Sequence, residues 1–494
     1  MVKSLYLLTS TYALLSHLPT ETSENTSIPQ GSTIMQISLV NPFTELPFTD
    51  IDATPTPVLD AIVGNAGGAY EDWRRTAIDE RAALCTRFID AFRTERESIA
   101  RDITKQMGKP IAQAFGEVDT AIDRAEQAIA MASEMLADDV APASPGFKRY
   151  VRQEPIGVLL DIAAWNYPLL IAVNVVIPGV LAGNAVIIKH SSKTPLCGQA
   201  FVDAFTRAGA PENLVQHVIA GHAETEALVQ NPRVDYVSFT GSTRGGHEIV
   251  CSVSDRFVDV GLELGGKDPA YVCADADFDF AVANCVDGAF YNAGQSCCAI
   301  ERIYVEEAIY DKFVEAYAAK TREYVLGDPM EETTTIGPQA SKSAPQFLRG
   351  QVEAAVAAGG RLVVDPTAFD VPDQGWFAAP AVIADAPQDC ALMQEESFGP
   401  VIGITKVRND EEAIRLMNDS PYGLTASIWT NDVDRAARVG AEVETGTFFM
   451  NRCDYVDPAL PWTGVKDTGR GCSLSRYGFL QLTRRKSMHL RVDV

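Results

Sequence analysis

Residues 156–190, IGVLLDIAAWNYPLLIAVNVVIPGVLAGNAVIIKH, decide the architecture. The apolar run Ile156 to Ala164 has no polar face, so it reads as a strand buried on both sides. A helical pattern follows near Pro168 to Leu181, and a second two-sided apolar run fills Ala185 to Lys189. The same alternation continues downstream. Apolar runs at Leu214 to Ala220, Val234 to Thr240 and Phe257 to Glu263 are separated by helical patterns near Pro195 to Ala208, Ala223 to Val229 and Gly246 to Val253. Strands apolar on both faces and spaced by helices predict a parallel sheet covered on both sides, with ligands taken at the carboxyl ends of its strands.

Outward from this core, Val58 to Thr76, Ile78 to Met107 and Ile111 to Leu136 carry helical periodicity, and Gly108-Lys109-Pro110 separates the last two. Residues 1–34 lack a clean apolar region with a cleavage site, and read as a disordered extension or an over-called start before Met35. Asp138 to Gly146 reads as a loop and Tyr150 to Gln153 as a strand. From Gly265 to about Ala441 a second α/β block is expected, with strands at Ile303 to Val305 and Val401 to Val407. A strand at Gly446 to Met450 and the alternating tail KSMHLRVDV close the chain. That tail has no evident partner in sequence, so it is expected to pair elsewhere, on a distant segment or on another subunit.

Composition narrows the function. The 494 residues, 46% of them hydrophobic, can bury several cores. Lysine and arginine total 41 against 66 acidic residues, and the net charge of −25 argues against nucleic acid or an anionic membrane as partner. No run is long and apolar enough to span a bilayer. The ten cysteines contain no C-x-x-C pair and read as reduced cytoplasmic thiols, while the six histidines form no ligand cluster, so no metal is expected.

The chemistry concentrates where strands end. Phe290 to Cys298, FYNAGQSCC, puts two thiols just beyond a helical pattern that breaks at Asn292-Ala293-Gly294. Taken alone, Cys297 is more simply a packed thiol, Glu263 a capping carboxylate and Asn166 a turn amide. A Gly-rich turn after a strand, as in Phe239 to Gly246, can cradle phosphate with backbone N–H groups, but no G-x-G-x-x-G is present.

Together, AWNYP, IIKHSSKTP, FTGSTRGG, LELGGK, FYNAGQSCC, EESFGPV and PWTGVKDTGRG resemble the aldehyde dehydrogenase superfamily, from about Asn41 to the C-terminus. The resemblance implies an α/β fold: a Rossmann-like cofactor domain (35–137, 150–264 and 442–470), a catalytic domain (265–441) and a β oligomerisation arm (138–149 and 471–494) making a homodimer or homotetramer. It also implies oxidation of a small-molecule aldehyde to the acid with NAD or NADP. Cys297 would be the nucleophile, Asn166 an oxyanion donor and Glu263 the general base. Glu396 and Phe398 would hold the nicotinamide ribose and ring, Lys189 the adenosine ribose, and Gly241, Ser242 and Gly246 the pyrophosphate turn, with Trp165, Ser192 and Leu264 beside the cofactor. The physical demands agree with these roles. A thiol near its ordinary pKa of about 8.5 is mostly protonated at neutral pH, the thiohemiacetal oxyanion needs donors, and the thioester needs a base-activated water.

The pattern departs from the family at His190, where proline is usual, and at Ser192, where NAD-preferring members carry glutamate. A serine flanked by Lys189 and Lys193 would not repel a 2′-phosphate, which leans toward NADP or dual use. Two other readings stand beside hydrolytic oxidation: a CoA-acylating semialdehyde dehydrogenase and a non-catalytic structural relative. For substrate, Asn174 occupies the place where members that accept succinic semialdehyde carry an arginine. Neutral aldehydes are therefore expected to be preferred over ω-carboxylated ones, with amino-aldehydes a lesser option through Asp454.

Overall fold

A computed structural model describes residues 36–493, so the expectation for residues 1–34 lies outside the described part. The alternating run forms a six-stranded sheet in the order Gly469–Arg470, Asp259–Glu263, Tyr236–Thr240, Val158–Ala163, Ala185–His190, Val215–Val218. All neighbours are parallel except the short edge strand Gly469–Arg470. From Val158–Ala163 the chain winds outward in one direction through Ala185–His190, then returns to place Tyr236–Thr240 on the other side. The carboxyl end of Val158–Ala163 is therefore the switch point, where a crevice opens. The segment Trp165-Asn166-Tyr167 lies there.

Helix Pro168–Ala182 explains why its sequence shows no amphipathic stripe. It is buried nearly all round, between the sheet and the helices Ile78–Thr94 and Ile111–Met135. Each buried Val, Leu or Ile on it contributes about 1.5–3 kcal/mol of apolar burial. Its C-cap Gly183 has φ +98°, a left-handed conformation that an L side chain resists.

A seven-stranded sheet runs Arg361–Val364, Ala381–Ala384, Val401–Val407, Ile300–Glu306, Asp268–Val272, Thr425–Trp429, Thr447–Met450, parallel except at the first pair. Helix Phe278–Phe290 crosses from Asp268–Val272 to Ile300–Glu306, and the paired cysteines occupy the turn just before the second of these strands.

The strand Thr447–Met450, within the segment 442–470 expected beside the cofactor, pairs with Thr425–Trp429 in the seven-stranded sheet. The closing strand Thr483–Arg491 finds its partner far back in the same chain. It pairs along its whole length with Phe147–Pro155 of its own chain, and Asp139–Val140 completes a three-stranded sheet. The sequence alternation identified the strand, but a partner more than 300 residues away leaves no local trace. Among the described residues no helix is long and apolar enough to cross a membrane.

Candidate active site

The turn that carries Cys297 is held under strain. Asn292 and Ala293 have φ of 53° and 54°, followed by Gly294 at 71°, three left-handed residues in succession. Each non-glycine member costs on the order of 1 kcal/mol or more, so the surroundings must hold the turn. The Asn292 amide donates to the carbonyls of Asn166 and Gln295, both at 3.1 Å. Gln295 donates back to the Asn292 carbonyl at 3.2 Å and accepts from Ala340 N at 2.9 Å. Gly294 lies so close to the chain that a Cβ would meet the Gly399 carbonyl at 2.3 Å. This helix break was legible in sequence. Its consequence is that Cys297 leaves the core and reaches a cleft.

That cleft is lined by Trp165, Asn166, Gly241, Ser242, Glu263, Leu264, Cys297, Glu396 and Phe398, with Ala164, Thr240 and Gly265. Nine of the sequence-predicted positions therefore meet in one place. Gly246 lies one turn into helix Thr243–Ser252, packed so closely on Leu264 that a Cβ would strike it at 2.7 Å. Ser242 caps that helix, accepting from Gly245 N at 3.2 Å. Lys189 and Ser192 do not line the cleft itself. They lie beyond it, at the end of Ala185–His190 and in the turn after it.

Donors and charges are arranged unevenly. Neither the Asn166 side-chain amide nor the Cys297 backbone N–H makes a hydrogen bond within the described residues, although the Asn166 carbonyl accepts two. Glu263 ends its strand half-buried. Burial raises its carboxyl above the ordinary value, and the Arg124 charge opposes this. Glu396 is pushed up to about 8 by burial, then by the neighbouring Glu301 carboxylate. Its Oε1 accepts from Gly266 N at 3.0 Å, and a Cβ on Gly265 would lie 2.5 Å from it. Phe398, at φ 55°, meets Trp165 edge-on with ring centroids 5.5 Å apart.

Cys298 behaves differently from its neighbour. It is buried and bonded to Asp454 Oδ1 at 3.0 Å. A hydrogen bond with Cys297, burial and the Asp454 carboxylate together hold it protonated, well above an ordinary thiol. Asp454 is therefore engaged by Cys298, and by Ser296 Oγ at 3.2 Å, rather than free toward solvent.

Two buried ion pairs support the cleft, and sequence reading missed both as site elements. Lys109 pairs with Glu117 and donates to the Asn166 carbonyl at 2.9 Å, its ammonium 4.0 Å from the Tyr167 ring centroid. Glu117 also accepts from Leu169 N at 2.9 Å, in the first turn of the next helix. Lys267 pairs with Glu301 at 2.5 Å, and the Glu301 carboxylate accepts from the backbone of Ser397 and Phe398 at 2.8 and 2.9 Å. The signal was present: Glu117 sits on the apolar face of its helix beside Ala114, Val118 and Ala121, where an unpaired carboxylate would be costly.

At the adenosine end, the expected flanking by two lysines changes. The Lys193 ammonium donates to the Ala340 carbonyl at 2.6 Å, so it is already engaged. Lys189 has no acidic partner within the described residues, and Ser192 is exposed. His190, where the family has proline, is buried and neutral: burial brings it down to about 4. It contacts Pro168 O at 2.9 Å and Thr194 Oγ1 at 3.1 Å, bracing the start of the buried helix.

Comparison with known proteins places this architecture. The profile of the aldehyde dehydrogenase family matches residues 29–488. A succinate-semialdehyde dehydrogenase [NADP(+)] of Mycobacterium tuberculosis is 33% identical over 456 residues, covering 92% of this chain and 99% of that protein. An aldehyde dehydrogenase structure from Brucella melitensis superposes with a TM-score of 0.89 at 29% identity, covering 93% of this chain and 95% of that one. A betaine aldehyde dehydrogenase from Staphylococcus aureus, solved with NAD+, gives 0.88 at 26% identity, covering 93% and 92%.

Proposed function

The chain belongs to the aldehyde dehydrogenase family, and we propose that it oxidises its aldehyde through Cys297, with Asn166 and the Cys297 N–H receiving the oxyanion and Glu263 activating water. The observation that carries this reading is the meeting of Cys297, Asn166 and Glu263 in one cleft with two backbone-and-amide donors left unspent.

The thiol of Cys297 gives its proton to Glu263, which passes it to solvent water, and the sulfur attacks the aldehyde carbon; the carbonyl oxygen becomes an alkoxide held by the Asn166 amide and the Cys297 N–H. A bound NAD or NADP would supply the hydride acceptor for the thiohemiacetal carbon. The Cys297 thioester is then cleaved by water, whose proton Glu263 takes. The raised affinity of Glu263 for protons suits a base that must both accept and release one. Cys298 stays protonated and does not compete for the aldehyde.

The residues fit a dinucleotide. Ser242 and the N–H groups opening helix Thr243–Ser252 would hold the pyrophosphate, with Gly246 leaving space against Leu264. Glu396 and Phe398 would take the nicotinamide ribose and ring, and Trp165 and Lys189 the remainder. Ser192 puts no carboxylate near the ribose, and Lys189, without an acidic partner among the described residues, offers charge to a 2′-phosphate, favouring NADP or dual use. The NADP named for the mycobacterial relative supports this choice. Glu263 favours hydrolysis over transfer to CoA.

We also propose that the six-stranded sheet and its helices form the cofactor domain, the seven-stranded sheet the catalytic domain, and the three-stranded sheet an arm joining subunits. Exposed Val140, Leu490 and Val492 on that arm support a homo-oligomer. The test of the function is absorbance at 340 nm with an aldehyde panel and either cofactor. Turnover with acid as product is expected, and no turnover with any aldehyde would refute the reading.

A further inference from the structure

The Lys267–Glu301 pair reaches further than an ordinary buried bridge, because it joins the segments that carry the base, the thiol and the cofactor contacts. Glu301 is the second residue of strand Ile300–Glu306, and Cys297 lies just before that strand. Lys267 closes the stretch that begins at Glu263. The two side chains are 4% and 0% exposed. The segment they jointly hold is Glu396 to Phe398.

That segment has no ladder of its own. It lies between helix Ala391–Gln394 and strand Val401–Val407, and neither Ser397 N–H nor Phe398 N–H finds a backbone acceptor among the described residues. Both donate to Glu301, one to each carboxylate oxygen: Ser397 N to Oε2 at 2.8 Å and Phe398 N to Oε1 at 2.9 Å. Lys267 Nζ donates to the same Oε2 at 2.5 Å and to Ser397 Oγ at 2.9 Å. The carboxylate therefore stands in for a neighbouring strand, and the ammonium fixes the carboxylate. Phe398 needs the support, since its φ of 55° is left-handed in a residue other than glycine. Without Glu301 both N–H groups would lose their acceptor, and the turn would relax to find others.

What the turn displays faces the reaction. Glu396 and Phe398 line the cleft of Cys297, and the Phe398 ring meets Trp165 across it. The anchors of the thiol's own turn, Asn292 and Gln295, bond to Asn166 and Ala340 and take no part in this network.

We propose that Glu301, held by Lys267, is a positioning residue for hydride transfer: it fixes the turn Glu396 to Phe398, and with it the place of the nicotinamide end of the cofactor relative to the Cys297 adduct. This rests on the reading of Cys297, Glu396 and Phe398 given above. A bridge that served the fold alone would disturb every step alike when altered, whereas this one acts on the step that needs the nicotinamide.

Glu301→Asp keeps the charge that balances buried Lys267 but draws the carboxylate back from both N–H groups, and Glu301→Gln keeps the length and loses the charge. On rapid mixing with aldehyde and cofactor, each variant should form reduced cofactor more slowly by about tenfold or more, since small displacements weigh heavily on a reacting geometry. Acylation of Cys297 by p-nitrophenyl acetate without cofactor, read as nitrophenolate release, should stay within about twofold of the unaltered chain. With reduced cofactor bound and no aldehyde present, the fluorescence anisotropy of the nicotinamide should fall in both variants. Hydride transfer unchanged in either variant, hydride transfer slowed in step with ester acylation, or an unchanged anisotropy overturns the proposal. An unaltered chain whose Cys297 is not acylated by the ester refutes the reading of the thiol, and the role of Glu301 with it, so the two failures are told apart.

Discussion

Replacing Lys109 by methionine should separate stability from catalysis. The Lys109 ammonium is fully buried and holds three things at once: the Glu117 carboxylate, the Asn166 carbonyl at 2.9 Å and the face of Tyr167. Lys109→Met strands the Glu117 carboxylate with one remaining donor, Leu169 N. Breaking a buried pair from one side costs about 3–5 kcal/mol. The double variant Lys109→Met/Glu117→Met removes the stranded charge and leaves an orphaned Leu169 N–H, costing about 1–3 kcal/mol. Urea denaturation should therefore show the double variant regaining about 2 kcal/mol over the single one. Turnover should not follow. In both variants the Asn166 carbonyl keeps only Asn292, so the Asn166 amide loses its placement, and a displacement of about 1 Å can cost roughly a hundredfold in rate. We expect kcat to fall at least tenfold in both. A single variant destabilised by less than about 1 kcal/mol, or a double variant that recovers kcat with its stability, would refute the reasoning.

Three further outcomes follow from the same geometry. Cys298→Ala should keep most activity, because that thiol is protonated and tied to Asp454; abolished turnover would contradict it. Ser192→Glu should raise KM for NADP more than for NAD by repelling the 2′-phosphate, and equal effects would sink the assignment of Ser192. Glu396 is raised in the folded chain to about 8, above an ordinary carboxylate. Its contribution to stability is thus present below the unfolded value and lost as pH climbs through the folded one. Relative to Glu396→Gln, the unaltered chain should lose thermal stability between about pH 5 and 9, and a constant difference across that range would contradict the cause given.

How much of this was legible in sequence depended on distance along the chain. The strands and helices between Ile156 and Glu263 declare themselves because burial on two faces leaves continuous apolar runs. The break at Asn292-Ala293-Gly294 was equally local. What sequence could not give was partnership. Thr483–Arg491 was recognised as a strand but not given its neighbour, because its partner Phe147–Pro155 lies far back in the chain. Gly108-Lys109-Pro110 looked like a simple helix break, while its lysine reaches across to the Asn166 carbonyl. Asn174 was read for its own lack of charge, and nothing in sequence signalled that Arg124, from another helix, would donate to it.

The central claim is that Cys297 carries the acyl group and Glu263 releases it. Mixing Glu263→Gln rapidly with aldehyde and cofactor, quenching in acid and mapping peptides by mass spectrometry tests both halves at once. The account predicts a burst of reduced cofactor followed by slow turnover, with the acyl adduct on Cys297. An adduct on Cys298, or hydride transfer and release slowed equally with no adduct accumulating, would contradict it.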